Sequence, residues 1–342
     1  MEKEVFMWNR LKNLCRKRFV QETSIQNKII EIKPSGFAPY DRIQLQAQLD
    51  KARGLKPGER LEIRLASGIF LIDRCLVVYS NTTLALQPDT VMRRTDQYRI
   101  ILKSYTDKMT PGYGNVQDIV IDGGIWDGAS TTTDKYRKLI KFSHAGNITL
   151  RNATIRRVSG KHCVTFAAVS GVRVENVHFT EYIGFADTEK RRANAEQLHI
   201  DGISDDGVSE PNEQPYDNTP CRDVRIEGCV FDGGYSAIGS HYQPFKAVGD
   251  GFTVRGCTFR NYLFPPIHVF HFENVCIEDN TFINCAMGSR ESGEAEEKAA
   301  MTTAQGMVYR RQESKRQEIE VGGEERVIGG VRMYDCSKVW IQ

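Results

Sequence analysis

The sequence predicts an all-β fold, a right-handed parallel β-helix in which three sheets wind around one core behind an N-terminal capping helix. Three observations predict it. A short strand pattern recurs, a glycine, asparagine or aspartate stands at one fixed place in each copy, and a second short strand precedes each copy. A period near 25 residues with alternating apolar positions is typical of solenoids, whose coils stack on their neighbours.

The recurring pattern is apolar–x–apolar, two further residues, then apolar or small–x–apolar. Six segments have this form: 118–126, 147–155, 171–179, 223–231, 251–259 and 274–282. A seventh copy begins at Lys338. The interval between the third and fourth copies is about twice the others, so we expect an additional coil there, formed around residues 196–207.

One position in each copy indicates a sharp corner between two short strands. It is occupied by Gly123, Asn152, Asn176, Gly228, Gly256 and Asp279. Glycine, asparagine and aspartate are the residues that best tolerate a left-handed backbone conformation. The same residue types at one register therefore predict a repeated left-handed bend that turns the chain from one sheet to the next.

A second strand precedes each copy, which gives each coil three short strands. These strands are predicted at 138–144, 162–168, 196–202, 236–242, 265–271 and 330–335, and the first coils at 60–72 and 76–95.

The two ends of the solenoid are predicted to differ from its coils. Residues 41–55 form an amphipathic helix with Ile43, Leu45, Leu49 and Leu55 near one face, which would cover the open edge of the first coil. Residues 1–35 are predicted to be a basic arm or helix, and residues 36–342 the β-helix domain. A charged stretch at about 290–326 interrupts the repeat and is predicted to be a partly helical or mobile insertion.

Composition excludes several classes of protein. A net charge of +2 gives no reason to expect a nucleic acid or a membrane surface as partner. The basic N-terminus has no continuous apolar core, so the sequence as written predicts a cytoplasmic protein, or a secreted one if a leader is missing. The nine cysteines form no CxxC pair, so we expect free buried thiols and no metal site.

Several motifs resemble a known superfamily. The phrase SNTTLAL followed by DGGIWDG, together with the cornered repeats, resembles the pectate-lyase-like right-handed parallel β-helix superfamily over most of residues 40–285. EQLHID, PCRDVRI and IGSH are similar to bacterial β-helix proteins described as carbohydrate-active enzymes. The resemblance implies a carbohydrate-related protein, while the superfamily includes hydrolases, lyases, epimerases and binding proteins.

Alternation along the second strands predicts which side chains face outward. One outward column reads Lys141, Thr165, His199, Gly239, His268, and the next reads Ser143, Ala167, Asp201, His241, Phe270. Equivalent positions of successive coils lie about 4.8 Å apart. We therefore expect Asp201 beside His241, and a notch at Gly239 between His199 and His268. Lys141 is predicted to be a surface residue at the edge of the column.

These columns predict a groove whose walls are the adjacent long loops. Asp201 is the first catalytic candidate, Asp205 or Asp206 supplies a second carboxyl group, and His241 orients Asp201. The predicted substrate-binding residues are His199, Gln197, Glu196, His268, Lys246, Asp250 and Tyr242. Strict alternation places Glu196 on the inward side, where it would be a buried structural carboxylate. Asp122 and Asp127 are predicted to be structural.

Three functions fit these residues. The first is a glycoside hydrolase acting on a polysaccharide without a cofactor, since two carboxyl groups suffice for this reaction. The second is a lyase or epimerase on a uronic-acid polymer, with Ca²⁺ in the acidic loop and a cation from Lys246, Arg191, Arg192 or His241. It ranks lower because the predicted face carries no basic ladder. The third is a non-catalytic glycan-binding solenoid.

Overall fold

The computed structural model describes most of the chain from Gln26 onward. The described residues are 26–95, 100–105, 110–131, 138–183, 196–203, 215–240, 248–262, 264–285, 308–310, 317–321, 326–328, 330–334 and 336–341.

These residues form one α-helix, a short 3-10 helix and 27 strands. The helix α1 spans Ala38–Leu49 and continues as a 3-10 helix over Asp50–Gly54. Strands β1 to β14 span, in order, Gln26–Ile32, Glu59–Leu65, Gly68–Ile72, Leu76–Val78, Thr82–Leu86, Thr90–Arg94, Leu102–Ser104, Val116–Asp122, Ile125–Asp127, Ile140–Arg151, Thr154–Arg156, Val164–Glu175, His178–Thr180 and Glu196–Asp201. Strands β15 to β27 span Arg222–Glu227, Val230–Gly234, Ser236–Gly239, Gly249–Arg255, Thr258–Tyr262, Ile267–Phe270, Phe272–Glu278, Thr281–Cys285, Val308–Arg310, Gln317–Val321, Arg326–Ile328, Val331–Tyr334 and Cys336–Ile341.

The strands form three parallel ladders, which confirms the predicted three-sheet β-helix. The first ladder runs β1, β2, β5, β8, β10, β12, β15, β18, β21, β27. The second runs β3, β6, β9, β11, β13, β16, β19, β22. The third runs β4, β7, β10, β12, β14, β17, β20, β26. The long strands β10 and β12 contribute their first halves to the third ladder and their second halves to the first.

The predicted corners are confirmed. All six corner residues have positive φ angles, from 53° at Asn176 to 88° at Gly123. A second column of positive φ begins the repeats themselves, at Asp118, Asn147, Gly171, Asp223, Gly251, Asn274 and Lys338. The recurring segment is therefore bounded by two left-handed bends, one at its first residue and one at its sixth, which explains why its length is preserved from coil to coil.

Phenylalanine side chains stack through the core from coil to coil. Phe231 packs against Phe179 on one side and Phe259 on the other, with ring centroids 4.7 and 5.2 Å apart. All three rings are fully buried. Burying an aromatic side chain of this kind contributes about 1.5–3 kcal/mol relative to leaving it exposed.

Asp127 lies fully buried at one corner among arginines. Its carboxylate accepts hydrogen bonds from Arg156 and Arg157 and lies 3.5 Å from Arg93 Nε. Burial raises the pKa of Asp127, but the hydrogen bonds from Arg157 and from the backbone N–H of Ala129 outweigh it and hold that pKa below its usual value. These contacts make Asp127 part of the framework of the second ladder.

The N-terminal end differs in part from the sequence prediction. The helix α1 packs on β3 and β4 and buries Leu45 and Leu49, as expected of a cap, but Ile43 is 52% exposed and lies on its outer side. Part of the predicted basic arm is already solenoid, because β1 pairs in parallel with β2.

The C-terminal end is closed by strands of the charged insertion. Within its described residues the segment 290–326 is extended and not helical: β23 pairs antiparallel with β22, and β24 with β27. Strand β25 pairs antiparallel with β26. Each of the three parallel ladders therefore ends under an antiparallel strand.

The thiols of the described part of the chain agree with the prediction of free cysteines. The eight cysteines there are unbridged, and six of them are buried. Among the described residues, no helix has the length and apolar character needed to cross a bilayer.

Candidate active site

An irregularity at the start of several third-ladder strands decides which side chains face outward. The amides of Leu139 and Ile140 both donate to the carbonyl oxygen of Cys163, at 3.1 and 3.0 Å. The amides of Ala237 and Ile238 likewise both donate to Pro266, at 2.9 Å each. When two successive amides share one carbonyl, the strand bulges and two successive side chains face the same side.

Leu198 of β14 pairs with Ile238 of β17, so Gln197 and Leu198 are the counterparts of Ala237 and Ile238, and the predicted orientations of two residues need correction. Gln197 and Leu198 are both fully buried. The hydroxyl of the core residue Tyr262 donates to Gln197 Oε1 at 2.5 Å, so Gln197 faces the interior, away from the predicted groove. The prediction that Glu196 faces inward is wrong as well. Its side chain lies on the outer face, next to His162 and His199.

Three histidines surround the carboxylate of Glu196. Its Oε2 lies 3.4 Å from His162 Nδ1 and 3.5 Å from His199 Nδ1. Its Oε1 lies 3.8 Å from His268 Nδ1. The rings of His162 and His199 stack with centroids 3.8 Å apart. All four side chains are nearly buried, with Glu196 and His199 each 2% exposed.

His199 connects Glu196 to a second buried carboxylate. Its Nε2 lies 3.3 Å from Asp201 Oδ2, while Asp201 Oδ1 accepts the backbone N–H of Gly202 at 2.9 Å. The backbone oxygen of Asp201 accepts the thiol of Cys221 at 3.1 Å. Burial raises the pKa of Cys221 to about 12, so this thiol stays protonated near neutral pH and acts as a donor, not as a nucleophile.

The predicted notch at Gly239 is present but filled. A Cβ atom at this position would lie 2.5 Å from Glu196 Cδ and 2.9 Å from its Oε1, and closer still to Cγ. The absence of a side chain at Gly239 therefore gives Glu196 its place between His199 and His268, which flank Gly239 in register.

The column through His199 is more basic than predicted. Strand pairing confirms its register and extends it to Lys103 beyond Lys141 and to Arg332 beyond His268. Cationic residues therefore stand at both ends of the column, separated by Thr165, His199, Gly239 and His268. The expectation that Lys141 is a surface residue is wrong, since it is 6% exposed.

The other candidate residues lie elsewhere. Asp250 stands on the first ladder, where its Oδ1 accepts Asn274 Nδ2 at 2.6 Å, apart from the histidine cluster. Five further candidates lie outside the described residues: Asp205, Asp206, His241, Tyr242 and Lys246. The expected Asp201–His241 contact therefore stays a prediction, and the imidazole found beside Asp201 belongs to His199.

Sequence reasoning missed His162. Its signal was its place one coil before Glu196, at the start of the equivalent predicted strand, and the bulge brings both side chains to the outer face. His162 Nδ1 also lies 3.1 Å from the backbone oxygen of Glu196, which ties the two coils together.

Comparisons with known proteins support the fold. No protein-family model matches the sequence, and no curated protein is significantly similar to it. A crystal structure of PfbA, a surface adhesin of Streptococcus pneumoniae, superposes with a TM-score of 0.63 at 18% identity. The match covers 75% of this chain and 63% of that one.

A second structure of PfbA gives a TM-score of 0.57 at 17% identity and covers 74% of this chain and 64% of that chain. This chain thus spans less than two thirds of the length of the adhesin chains it matches. A Parabacteroides merdae protein, described provisionally as a glycosyl hydrolase, gives a TM-score of 0.45 at 15% identity. That match covers 69% of this chain and 95% of the other. At 18% and 17% identity, the two adhesin structures show a shared fold alone, the parallel β-helix.

Proposed function

We propose that the protein is a glycoside hydrolase whose acid and base are the carboxyl groups of Glu196 and Asp201. One observation carries the proposal: a single imidazole, His199, contacts both carboxylates from its two nitrogens, on the outer face of a rigid sheet. Glycosidases use two carboxyl groups on either side of the scissile bond, one protonated and one ionised.

The position of His199 supports a division of roles between the two carboxyl groups. Glu196 lies against His199 Nδ1 and two further histidines, whereas Asp201 lies against His199 Nε2 and accepts the backbone N–H of Gly202. The two carboxyl groups therefore differ in hydrogen bonding, as an acid and a base must. His199 is a positioning residue in this proposal, because it acts through Glu196 and Asp201 and not on the sugar.

Access to the site requires movement. Glu196 and Asp201 are 2% and 1% exposed, so a sugar ring touches them only after neighbouring chain segments shift. Exclusion of water from a site strengthens each electrostatic contact inside it, and closure around a bound substrate is common among enzymes.

A release assay tests the proposal. Wild type, Glu196→Gln and Asp201→Asn are incubated with plant, bacterial and animal polysaccharides, and new reducing ends are measured. Each substitution preserves side-chain size and removes one titrating carboxyl group. We expect kcat to fall by roughly 10²–10⁴-fold in either variant. We also expect the wild-type pH–rate profile to be bell-shaped, with one limb missing from any residual activity of each variant.

Asp232→Asn is the matched control. Asp232 lies on the second ladder, where its Oδ1 accepts Asn261 Nδ2 at 2.9 Å, a contact that an asparagine oxygen can also make. Its activity should equal that of wild type. Equal activity of Glu196→Gln and wild type contradicts the assignment of roles. A wild type that binds glycans but releases no reducing ends refutes the hydrolase and favours a glycan-binding solenoid.

A lyase or epimerase on an anionic polysaccharide is the second candidate, and the basic column favours it. Lys103 and Lys141 stand at one end of the column, and Arg332 at the other. Such residues can neutralise uronate groups, a step that proton abstraction next to a carboxylate requires. Absorbance of unsaturated uronides in the same assay identifies a lyase, whereas reducing ends without that absorbance identify a hydrolase.

A further inference from the structure

The described residues contain a set of side chains with the composition of a transition-metal site. His162, Glu196 and His199 each offer one ligand atom, and these atoms lie within 4.8 Å of one another. Two imidazoles and one carboxylate are typical ligands of Zn²⁺ and similar divalent ions, whereas Ca²⁺ takes oxygen ligands.

The separations fit a single ion. Zinc bonds of about 2.0–2.1 Å to nitrogen and oxygen place tetrahedral ligand atoms about 3.3–3.4 Å apart. Glu196 Oε2 lies 3.4 Å from His162 Nδ1 and 3.5 Å from His199 Nδ1. These two distances match the edges of such a tetrahedron, and all three ligand atoms lie within 4.8 Å of one another, so the two imidazole rings must turn for their nitrogens to meet one ion.

The surroundings of His199 fit the outer shell of such a site. Metal-binding histidines usually direct their second ring nitrogen at a carboxylate or carbonyl, which fixes the ring and raises its basicity. His199 directs Nδ1 at Glu196 and Nε2 at Asp201, 3.3 Å away. Asp201 thus stands where a carboxylate–histidine–metal arrangement requires its carboxylate.

The ring planes give the site a structural marker. The rings of His162 and His199 are stacked, with an interplanar angle of 16°. A ring nitrogen binds a metal in the plane of its ring, so one ion shared by both rings needs those planes to open. Binding would also replace the contact between His162 Nδ1 and the backbone oxygen of Glu196.

We propose that His162, Glu196 and His199 bind one divalent transition-metal ion, with Zn²⁺ the best match, and that among the described residues these three are its ligands, which leaves a fourth position for water or substrate. Three protein ligands and one open position are typical of catalytic zinc sites. With the ion bound, Glu196 is a ligand and does not serve as acid or base, so this state excludes the two-carboxyl mechanism, and Asp201 is the carboxyl group that does not bind the ion. The inference concerns the site of the proposed function but does not rest on hydrolysis.

Metal binding is tested without any substrate. Wild-type protein is stripped with a chelator, exchanged into metal-free buffer and titrated with Zn²⁺ and, separately, with Ca²⁺ by calorimetry, and bound metal is counted by elemental analysis. We expect about one zinc ion per chain and no saturable calcium. Asp201→Asn should weaken zinc binding by roughly 10–100-fold.

His162→Ala and Glu196→Gln should each lose at least roughly 100-fold in zinc affinity. His178→Ala is the matched control, since His178 lies on the second ladder and should leave binding unchanged. Circular dichroism establishes that each variant is folded, and Glu196→Gln keeps the test valid if His162→Ala fails to fold. Absence of saturable zinc in wild type, or equal zinc affinity in Glu196→Gln, overturns the proposal.

Hydrolysis and metal binding can fail separately. Zinc bound by a protein that cleaves no glycan supports the metal site and refutes the hydrolase. A protein that binds no zinc and hydrolyses glycans fully in the presence of a chelator supports the hydrolase and refutes the metal site. A crystal structure grown with Zn²⁺ should show the angle between the rings of His162 and His199 opened well beyond 16°.

Discussion

The substitution Gly239→Ala changes the site by adding one methyl group and removes no polar side chain. The new methyl group would lie 2.5 Å from Glu196 Cδ, whereas ordinary contacts of a Cβ atom begin near 3.4 Å. The carboxylate must therefore move by about 0.9 Å or more. Misplacing a reacting group by about 1 Å can cost roughly 100-fold in rate.

We accordingly expect kcat/KM of Gly239→Ala to fall by about 100-fold, equivalent to about 2.7 kcal/mol of transition-state stabilisation. Overpacking should also lower the free energy of unfolding by about 1–3 kcal/mol. The rate is measured by release of reducing ends at 25 °C, and stability by urea denaturation.

Gly54→Ala serves as the control for this change. No atom lies within 4 Å of the Cβ position at Gly54, so rate and stability should stay near those of wild type. If Gly239→Ala keeps wild-type activity, Glu196 does not depend on the space above Gly239 for its catalytic position. A protein that loses stability but keeps its rate has the same implication.

Three further predictions concern the framework. Asp127→Asn removes the ionised partner of Arg157, whose side chain is 32% exposed, and should cost about 1.5–3 kcal/mol of unfolding free energy at neutral pH. Because the pKa of Asp127 is held low, this difference should shrink as the pH of urea titrations falls below about 4, and a constant difference contradicts it. Tyr262→Phe leaves Gln197 Oε1 without the hydroxyl at 2.5 Å and should cost about 1–3 kcal/mol in the same titrations, so an unchanged midpoint argues against that bond. Asn176→Val places a β-branched residue at a φ of 53° and should lower stability by about 1–2 kcal/mol or more, whereas Asn176→Gly should be nearly neutral; equal effects of the two would exclude the left-handed bend as the cause.

The solenoid was predictable because its signals are local and repeated. Each corner needs a left-handed residue, so asparagine, aspartate and glycine recur at the position of Asn152, and each coil needs inward apolar residues such as Phe142 and Phe166. The register of the column through His199 followed from these positions and is confirmed by strand pairing.

The site was predictable only in part, because one bulge changes the alternation on which its assignment depended. Residues after the bulge, such as His199 and Asp201, were placed on the correct face. Glu196 precedes the bulge and Gln197 is its first residue, and both were assigned to the wrong side. A parallel bulge has no requirement for glycine or a left-handed residue here, so no residue type marks it. A partial sign in the sequence is a pair of successive apolar residues at the start of some of these strands, such as Leu139 and Ile140, whereas β14 has Gln197 and Leu198 there.

The antiparallel strands at the last coil affect whether copies of this chain can associate end to end. The last coil of a parallel solenoid has unpaired backbone amides and carbonyls along the edge of each of its three sheets. A strand of a second molecule can pair with each edge, and repetition of this pairing produces a fibre. Strands β23, β24 and β25 occupy these edges with chain of the opposite direction. These strands thereby cover the edges that a second copy would need, so we expect a chain without residues 308–328 to form larger end-to-end assemblies than the intact chain, as measured by size-exclusion chromatography.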